Sequence, residues 1–181
     1  SVLNVYWRNL PGKQGQEVFN DVLIKDIYTP IHLSQTALVT RRSDDNYKQA
    51  FFGWGLTLIA DDIAKLSIFL GADKGRINNE QILDLDMLDE AMQRDENNRG
   101  LQTAGLKNFR YQHGFWARNV QNEVGCKNPT WVPFMSGFGG ITVALFPNGV
   151  VWYNFADDGL LSSIDFAKPA IEAAKFGSYC Q

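Results

Sequence analysis

Ser136 stands in the run Met135-Ser136-Gly137-Phe138-Gly139-Gly140, a hydroxyl followed closely by glycines. A serine attacks a carbonyl carbon when a base takes its proton and an acid orients that base, and His113 with Asp157 or Asp158 supplies the residue types. The nucleophile elbow, however, requires Gly-x-Ser-x-Gly, and Phe134 occupies the place of its first glycine. The default for Ser136 is then a strand-end hydroxyl. The glycines lack the spacing of a phosphate cradle and no helix follows them, so they read as a bulge or bend beside a hairpin. His32 and His113 are the only histidines, and no metal-ligand spacing relates them. The acidic pairs Asp44-Asp45 and Asp157-Asp158 could serve a glycosidase, but nothing fixes their separation, and solvated turns are the default. Trp116, Trp131 and Trp152 could wall a cleft, although alternation along strands points to core packing for at least two of them.

The elements that would position these groups fall into two compositional regions of one unit, residues 1–181. Residues 1–106 read as mainly helical. Val18, Phe19, Val22, Leu23 and Ile27 give residues 16–27 a helical spacing closed by Pro30. Residues 41–47 read as exposed surface. Ile59, Ile63, Leu66, Phe69 and Leu70 form one stripe, with Asp61 and Asp62 at the positive end of that helix and Gly71 at its exit. Residues 84–93 place Leu85, Leu88 and Met92 on a third helical face, which residues 97–100 break. Residues 107–181 read as an antiparallel sheet with a terminal helix. Its strands are expected at 114–120, 131–136, 141–146 and 150–155, the last two joined through Pro147-Asn148-Gly149, a strong hairpin signal. The terminal helix, residues 166–176, tolerates Pro169 only in its first turn and should cover the sheet. The expected fold class is α+β, a helical region followed by an antiparallel sheet covered by a C-terminal helix.

This order of elements resembles the C-terminal half of the β-lactamase-related serine hydrolases, the superfamily of class C β-lactamases, penicillin-binding proteins and related esterases. Leu10-Pro11-Gly12-Lys13, with Phe19, Ile27 and Pro30-Ile31, is similar to that family's "PLGM"-type segment. The run from Gly53-Trp54-Gly55 to Asp61-Asp62-Ile63-Ala64-Lys65-Leu66 resembles its glycine-rich approach to the "S/T-x-x-D-L-A-R-F" helix. His113-Gly114-Phe115-Trp116 resembles the "YGFGW" strand. Met135-Ser136-Gly137-Phe138-Gly139-Gly140 with Phe146-Pro147-Asn148-Gly149-Val150-Val151 resembles the "H-G-G-F-G-G … D-P-x-x-x-L-V-V" hairpin. The likeness covers almost all of the chain.

The resemblance implies a partial β-lactamase/transpeptidase-like fold and acyl-enzyme chemistry on an ester, amide or β-lactam bond. In that family a Ser-x-x-Lys motif supplies nucleophile and base, a Tyr-x-Asn or Tyr-x-Ser motif shuttles protons, and a Lys- or His-led triad ending in glycine lines the substrate strand. Only the third motif falls within this chain. No Ser is followed three residues later by Lys, and no Tyr is followed two later by Asn or Ser. The chain alone is therefore expected to be inactive, with no catalytic set complete. By resemblance the Phe138 backbone N–H is an oxyanion donor, and Met135, Ser136, Gly137, Gly139 and Gly140 line the substrate. Met135 stands where the family has a basic residue, and an apolar side chain cannot orient a carboxylate. Esterases, peptidases and amidases of small linear substrates are the better comparison. The alternative is a catalytically inactive module that binds a peptide, a cell-wall fragment or a partner protein.

Composition sets the outer limits. The 181 residues are 45% hydrophobic and 13% aromatic, enough for a well-buried core. A net charge of -3 gives no electrostatic reason to expect nucleic acid or an anionic membrane. No run is long enough to span a bilayer. The expected partners are a small-molecule or peptide substrate and an N-terminal segment of the same protein, since Ser1 is not a methionine and reads as a cut through a buried element. A sheet missing its N-terminal strands should expose an edge, the route to a homo-oligomer. No cofactor and no metal are expected. Resemblance alone favours a periplasmic or extracellular location. Cys126 and Cys180 leave open one disulfide or two free thiols.

Overall fold

The computed structural model describes residues 2–52, 55–103, 105–137, 140–155 and 165–180. The chain divides into two compact units, Ser1–Phe69 with Arg76–Ile82, and Leu70–Gly75 with Leu83–Gln181.

The first unit is largely helical. Helix α1 (Val2–Arg8) buries only Asn4, whose Oδ1 accepts the Val18 N–H at 3.0 Å, while Val2, Leu3, Val5 and Tyr6 are exposed. The apolar opening stretch is thus not the interior element its composition suggests. Its one fully buried residue is polar, and Trp7 is half-buried. The amphipathic segment expected over residues 16–27 is a π-helix, Phe19–Tyr28, and the Thr29 N–H reaches back five residues to the Ile24 carbonyl. The wider winding changes which residues share a face. Val18, Phe19, Ile27 and Tyr28 are buried, whereas Val22 and Leu23 are half-buried. Residues 44–48 are exposed as expected, but Arg42 turns inward to grip the buried Glu17 through both terminal nitrogens.

Helix α2 (Ala60–Leu70) forms where its sequence signal placed it, but of the expected stripe only Ile63 and Phe69 are buried, while Leu66 and Leu70 are half-buried and Ile59 is exposed. Its buried face carries Asp62, Ile63, Ser67 and Phe69. Asp62 is fully buried and satisfied: its carboxylate accepts the Ser34 N–H at 2.7 Å, the Ser34 hydroxyl at 2.6 Å and the Ile59 N–H at 3.0 Å. Burial alone would raise its pKa, but these donors outweigh that and hold it below the usual carboxylate range. The carboxylate thereby caps α2 and ties the preceding loop to it. A short hairpin, β1 (Arg76–Ile77) with β2 (Glu80–Gln81), lies within the region expected to be mainly helical. Asn78 and Asn79 both take positive φ between its strands, a turn chemistry that asparagine tolerates.

In the second unit the carbonyls of Leu70 and Gly71 accept from the Arg94 guanidinium at 3.2 and 2.9 Å. Gly71 keeps a negative φ, so α2 ends on a side-chain donor and not on a left-handed glycine. Helix α3 (Leu85–Ala91) is capped by Asp84, which accepts the Met87 N–H at 2.9 Å, and buries Leu88 and Ala91. Gly100 follows with φ +78, and a Cβ there would lie 2.4 Å from the Tyr111 carbonyl oxygen. Only glycine fits that approach.

Six strands then form one antiparallel meander in chain order: β3 (Leu101–Gln102), β4 (Phe109–Gln112), β5 (Phe115–Asn119), β6 (Trp131–Gly137), β7 (Ile141–Leu145) and β8 (Val151–Phe155). A short helix α4 (Gln121–Val124) separates β5 from β6, and α5 (Ala167–Ala173) follows β8. Pro169 sits in the first turn of α5, as its missing N–H requires. Strand β3 begins ahead of the expected sheet boundary at residue 107 and β4 ahead of the first expected strand at 114, because Leu101-Gln102 and Phe109-Arg110 lack alternation that stands out locally. Helices, then an antiparallel sheet, then a C-terminal helix make this an α+β architecture.

Register decides the two faces of the sheet. Phe134 lies opposite Ala144, which lies opposite Trp152, and with Val132 these residues pack under Phe166, Ala170 and Ala173. Phe134 meets the Phe166 ring edge-on at 5.2 Å. Full burial of such a ring contributes about 1.5–3 kcal/mol. The hairpin at Pro147-Asn148-Gly149 forms as expected, with Gly149 at φ +84, and Asn148 Nδ2 donates to the carbonyls of Ala173, the last residue of α5, and Gly177 beyond it. Cys126 and Cys180 form a disulfide, which resolves the alternative left open by sequence.

Two outcomes test this packing. Asp62→Ala leaves three donors without their acceptor and is expected to destabilise the first unit by about 2–3 kcal/mol in urea denaturation. Replacing both cysteines by alanine opens a loop of sequence separation 54 and is expected to cost up to about 4 kcal/mol. An unchanged denaturation midpoint in either variant contradicts the corresponding assignment.

Candidate functional site

Residues 135–137 of the glycine-bordered ribbon end β6, and Gly140 directly precedes β7. Because side chains alternate along a strand, the inward Phe134 sends Met135 to the sheet face away from α5 and Ser136 back to the α5 face. Met135 is half-buried opposite Val143, which in turn faces Tyr153. Ser136 is exposed and lies opposite Thr142, which lies opposite Asn154. Thr142 is fully buried, and its hydroxyl has no hydrogen-bond partner among the described residues. Asn154 Nδ2 donates to the Gly140 carbonyl at 3.3 Å. Gly137 pairs with Ile141, which pairs with Phe155, and Gly140 takes φ +77. Phe138 and Gly139 lie outside the described residues, as do Asp157 and Asp158.

One face of the ribbon therefore carries the exposed Ser136 beside the buried Thr142 and the Asn154 amide, and the other carries Met135, Val143 and Tyr153. No base is hydrogen-bonded to Ser136 among the described residues. His113 is engaged elsewhere. It occupies the β4–β5 turn at φ +47, ahead of Gly114 at +86, and its Nε2 lies 2.6 Å from Glu90 Oε2. An ionised carboxylate only accepts, so Nε2 carries the proton. Gln112 Nε2 donates to the same oxygen at 3.0 Å. The His113 hydrogen bond first, then that of Asn98, hold the Glu90 carboxyl below its ordinary range. The structure thus gives the histidine that sequence offered as a base an acid the sequence did not suggest, Glu90, and no hydrogen bond joins it to Ser136 among the described residues. Glu90 and His113 are 23 residues apart, on a helix and a hairpin turn, and no spacing rule connects them.

The remaining candidates have structural roles. His32 uses its backbone carbonyl to accept from Lys65 Nζ at 2.6 Å. Asp45 accepts the Ser43 hydroxyl and the Tyr47 and Lys48 N–H groups, an exposed turn. Trp116 and Trp152 pack against the core under α5, while Trp131, on the other face, lies beneath the Arg110 guanidinium at 5.2 Å from its ring centroid. Among the described residues no cluster of three or more His, Cys, Asp or Glu could hold a metal, and no described helix is long and apolar enough to cross a membrane.

The chain matches no protein-family model, no curated protein and no solved structure.

The Glu90 contacts carry a pH consequence. A carboxyl whose folded pKa is depressed adds stability that is present above its unfolded value, about 4.3, and is lost as the pH falls through the folded value. Glu90→Gln is expected to flatten the acid limb of the stability curve of the second unit below about pH 4.3. Superimposable acid limbs for Glu90→Gln and the parent chain would show that Glu90 is not held by these donors.

Proposed function

We propose that this chain is the substrate-strand portion of a β-lactamase-like serine hydrolase that cleaves an ester, amide or β-lactam bond through an acyl-enzyme. The observation that carries the reading is the ribbon itself. A strand ends at Ser136-Gly137, turns through glycines and leaves Met135 and Ser136 on opposite faces of a sheet backed by a C-terminal helix. The four ordered motifs that resemble this superfamily support it. In such chemistry a serine hydroxyl adds to the carbonyl carbon while a lysine takes its proton. The C–O or C–N bond then breaks with protonation of the leaving group by a tyrosine, and water hydrolyses the acyl-serine. Nucleophile, base and proton shuttle come from outside residues 1–181. The part assigned to this chain is the Phe138 N–H as oxyanion donor, with Met135, Ser136, Gly137, Gly139 and Gly140 beside the substrate. The Cys126–Cys180 disulfide favours an exported protein.

A second reading has its own support. Met135 places no charge at the head of the motif, and Ser136 has no base among the described residues, which suits a module that binds a peptide, a cell-wall fragment or a partner protein without turning it over. Association of copies is part of the same proposal. Among the described strands β8 is paired on one side only, and Tyr153 and Phe155 on it are exposed. Its sequence, Val151-Trp152-Tyr153-Asn154-Phe155, has neither the charge nor the proline that usually guards an edge.

The test is reconstitution. The chain alone is expected to leave p-nitrophenyl acetate intact. The parent protein, or the chain with its upstream segment added, is expected to hydrolyse it if that segment holds Ser-x-x-Lys. A parent coding sequence without that motif, or a parent inert toward esters, amides and β-lactams alike, overturns the hydrolase reading in favour of binding only.

A further inference from the structure

The turn ahead of β8 sets the phase of its backbone. The Phe146 N–H donates to the Val150 carbonyl at 2.9 Å, and the Gly149 N–H donates to the Phe146 carbonyl at 2.9 Å. Phe146 and Val150 are thus a hydrogen-bonded pair, and bonded and unbonded pairs alternate along an antiparallel ladder. Counting from there, Ala144 with Trp152 and Thr142 with Asn154 are bonded pairs, whereas Leu145 with Val151, Val143 with Tyr153 and Ile141 with Phe155 are not. The N–H and C=O groups of Val151, Tyr153 and Phe155 therefore point away from β7. A count from the other side of the sheet agrees. The Val120 N–H on the Thr130 carbonyl makes Arg118 with Val132 and Trp116 with Phe134 bonded pairs, which turns Met135 of β6 toward Val143 of β7 and away from β5.

No described strand takes up the outward groups of β8. The side chains of the same residues lie on the sheet face away from α5, because Trp152 and Asn154 lie on the other. Tyr153 is 44% exposed and Phe155 50%, with ring centroids 5.7 Å apart, and Ile141, paired with Phe155, is exposed beside them. An aromatic side chain carries about 150–250 Å² of surface, so these two rings leave about 150–250 Å² open on each copy. Two such patches fall well short of the roughly 1,200 Å² at which stable complexes begin, so most of the attraction must come from main-chain bonds. β8 has no charged side chain, and two copies can meet along it without repulsion.

We infer that the outer edge of β8 docks a second copy of this chain, antiparallel, with Tyr153 opposite its own counterpart on a two-fold axis. Among the registers that match outward groups with outward groups, this one alone engages all of Val151, Tyr153 and Phe155. Val151 then meets Phe155 on either side of the axis, and each bonded pair exchanges two hydrogen bonds. The axis stands perpendicular to the sheet, so the exposed rings continue one face and both copies of α5 keep to the other. Such an interface is isologous and consumes both β8 edges. The assignment rests on the association of copies put forward with the function, and gives it a register and a weak, reversible affinity.

Sedimentation equilibrium of residues 1–181 is expected to show monomer and dimer exchanging with a dissociation constant of about 10–500 µM. Tyr153→Pro removes an outward N–H and no bond to β7, and Phe155→Lys puts a charge on the edge; each is expected to weaken the dimer about tenfold or more. Tyr153→Cys under mild oxidation is expected to give a disulfide-linked dimer, because bonded pairs hold their Cα atoms about 5.5 Å apart. Phe155→Cys lies roughly 14 Å along the strand from its counterpart and is expected not to link. A strict monomer up to about 1 mM, an undiminished dimer in a folded Phe155→Lys chain, or linkage through residue 155 in preference to 153 overturns the proposal. Should Tyr153→Pro not fold, Phe155→Lys and the two cysteine variants still decide it. A parent protein that stays monomeric and unlinked in its Tyr153→Cys form gives the edge to the upstream segment and overturns it as well. Ester hydrolysis by the parent neither requires the dimer nor follows from it, so the two proposals fail separately.

Discussion

Phe134 is buried to 1% exposure between three other aromatic rings, Phe109, Trp116 and Phe166, with centroids 6.1, 6.4 and 5.2 Å away. The period of a strand is two, so a slip of one residue would push this ring into the opposite face and bring Met135 under α5. The burial of one side chain thereby decides where every group of the ribbon points. Ser136, Thr142 and Asn154 must continue the α5 face, and Met135, Val143 and Tyr153 must occupy the other. The disulfide, the Asn148 amide on the Ala173 and Gly177 carbonyls and the Tyr179 hydroxyl on the Ala170 carbonyl all secure the helix that Phe166 introduces.

Charge is handled by the same economy of partners. Glu17 and Asp62 are buried carboxylates, and each is surrounded by donors: a forked arginine for the first, and the N–H and hydroxyl of Ser34 with the Ile59 N–H for the second. Arg118 lies between Phe109 and Phe166 and still holds two acids. Arg110, on the opposite sheet face, departs from this pattern with a buried nitrogen that has no hydrogen-bond partner among the described residues.

The hydrolase proposal draws its force from order and geometry together. A glycine-rich turn after a strand is common, and a lone serine near it has no chemistry without a base. His113 would have been that base by residue type, yet it lies on Glu90 and steadies the β4–β5 turn against α3. The described residues thus hold Ser136 at the end of a paired strand, without a base hydrogen-bonded to it. A binding module built on the same framework has the same sheet, and it is distinguished by what lies outside residues 1–181.

Much of the fold was legible in the sequence. The place of α2, the strands β6 to β8, the Asn148-Gly149 turn and the position of Pro169 in α5 each rest on local physics, a period or a turn preference that adjacent residues reveal. Other features were closed to it. The π-winding of residues 19–28, the exposed face of α1, the β1–β2 hairpin and the exit of α2 through Arg94 depend on partners distant in sequence. The same holds for the site. Sequence alone marked the ribbon at residues 135–140, since glycines and a hydroxyl are visible as types. Only tertiary structure set Met135 and Ser136 on opposite faces, joined His113 to Glu90, closed the Cys126–Cys180 bond and left Arg110 over Trp131. Those outcomes are fixed by register and by burial of side chains far apart along the chain, which no local pattern encodes.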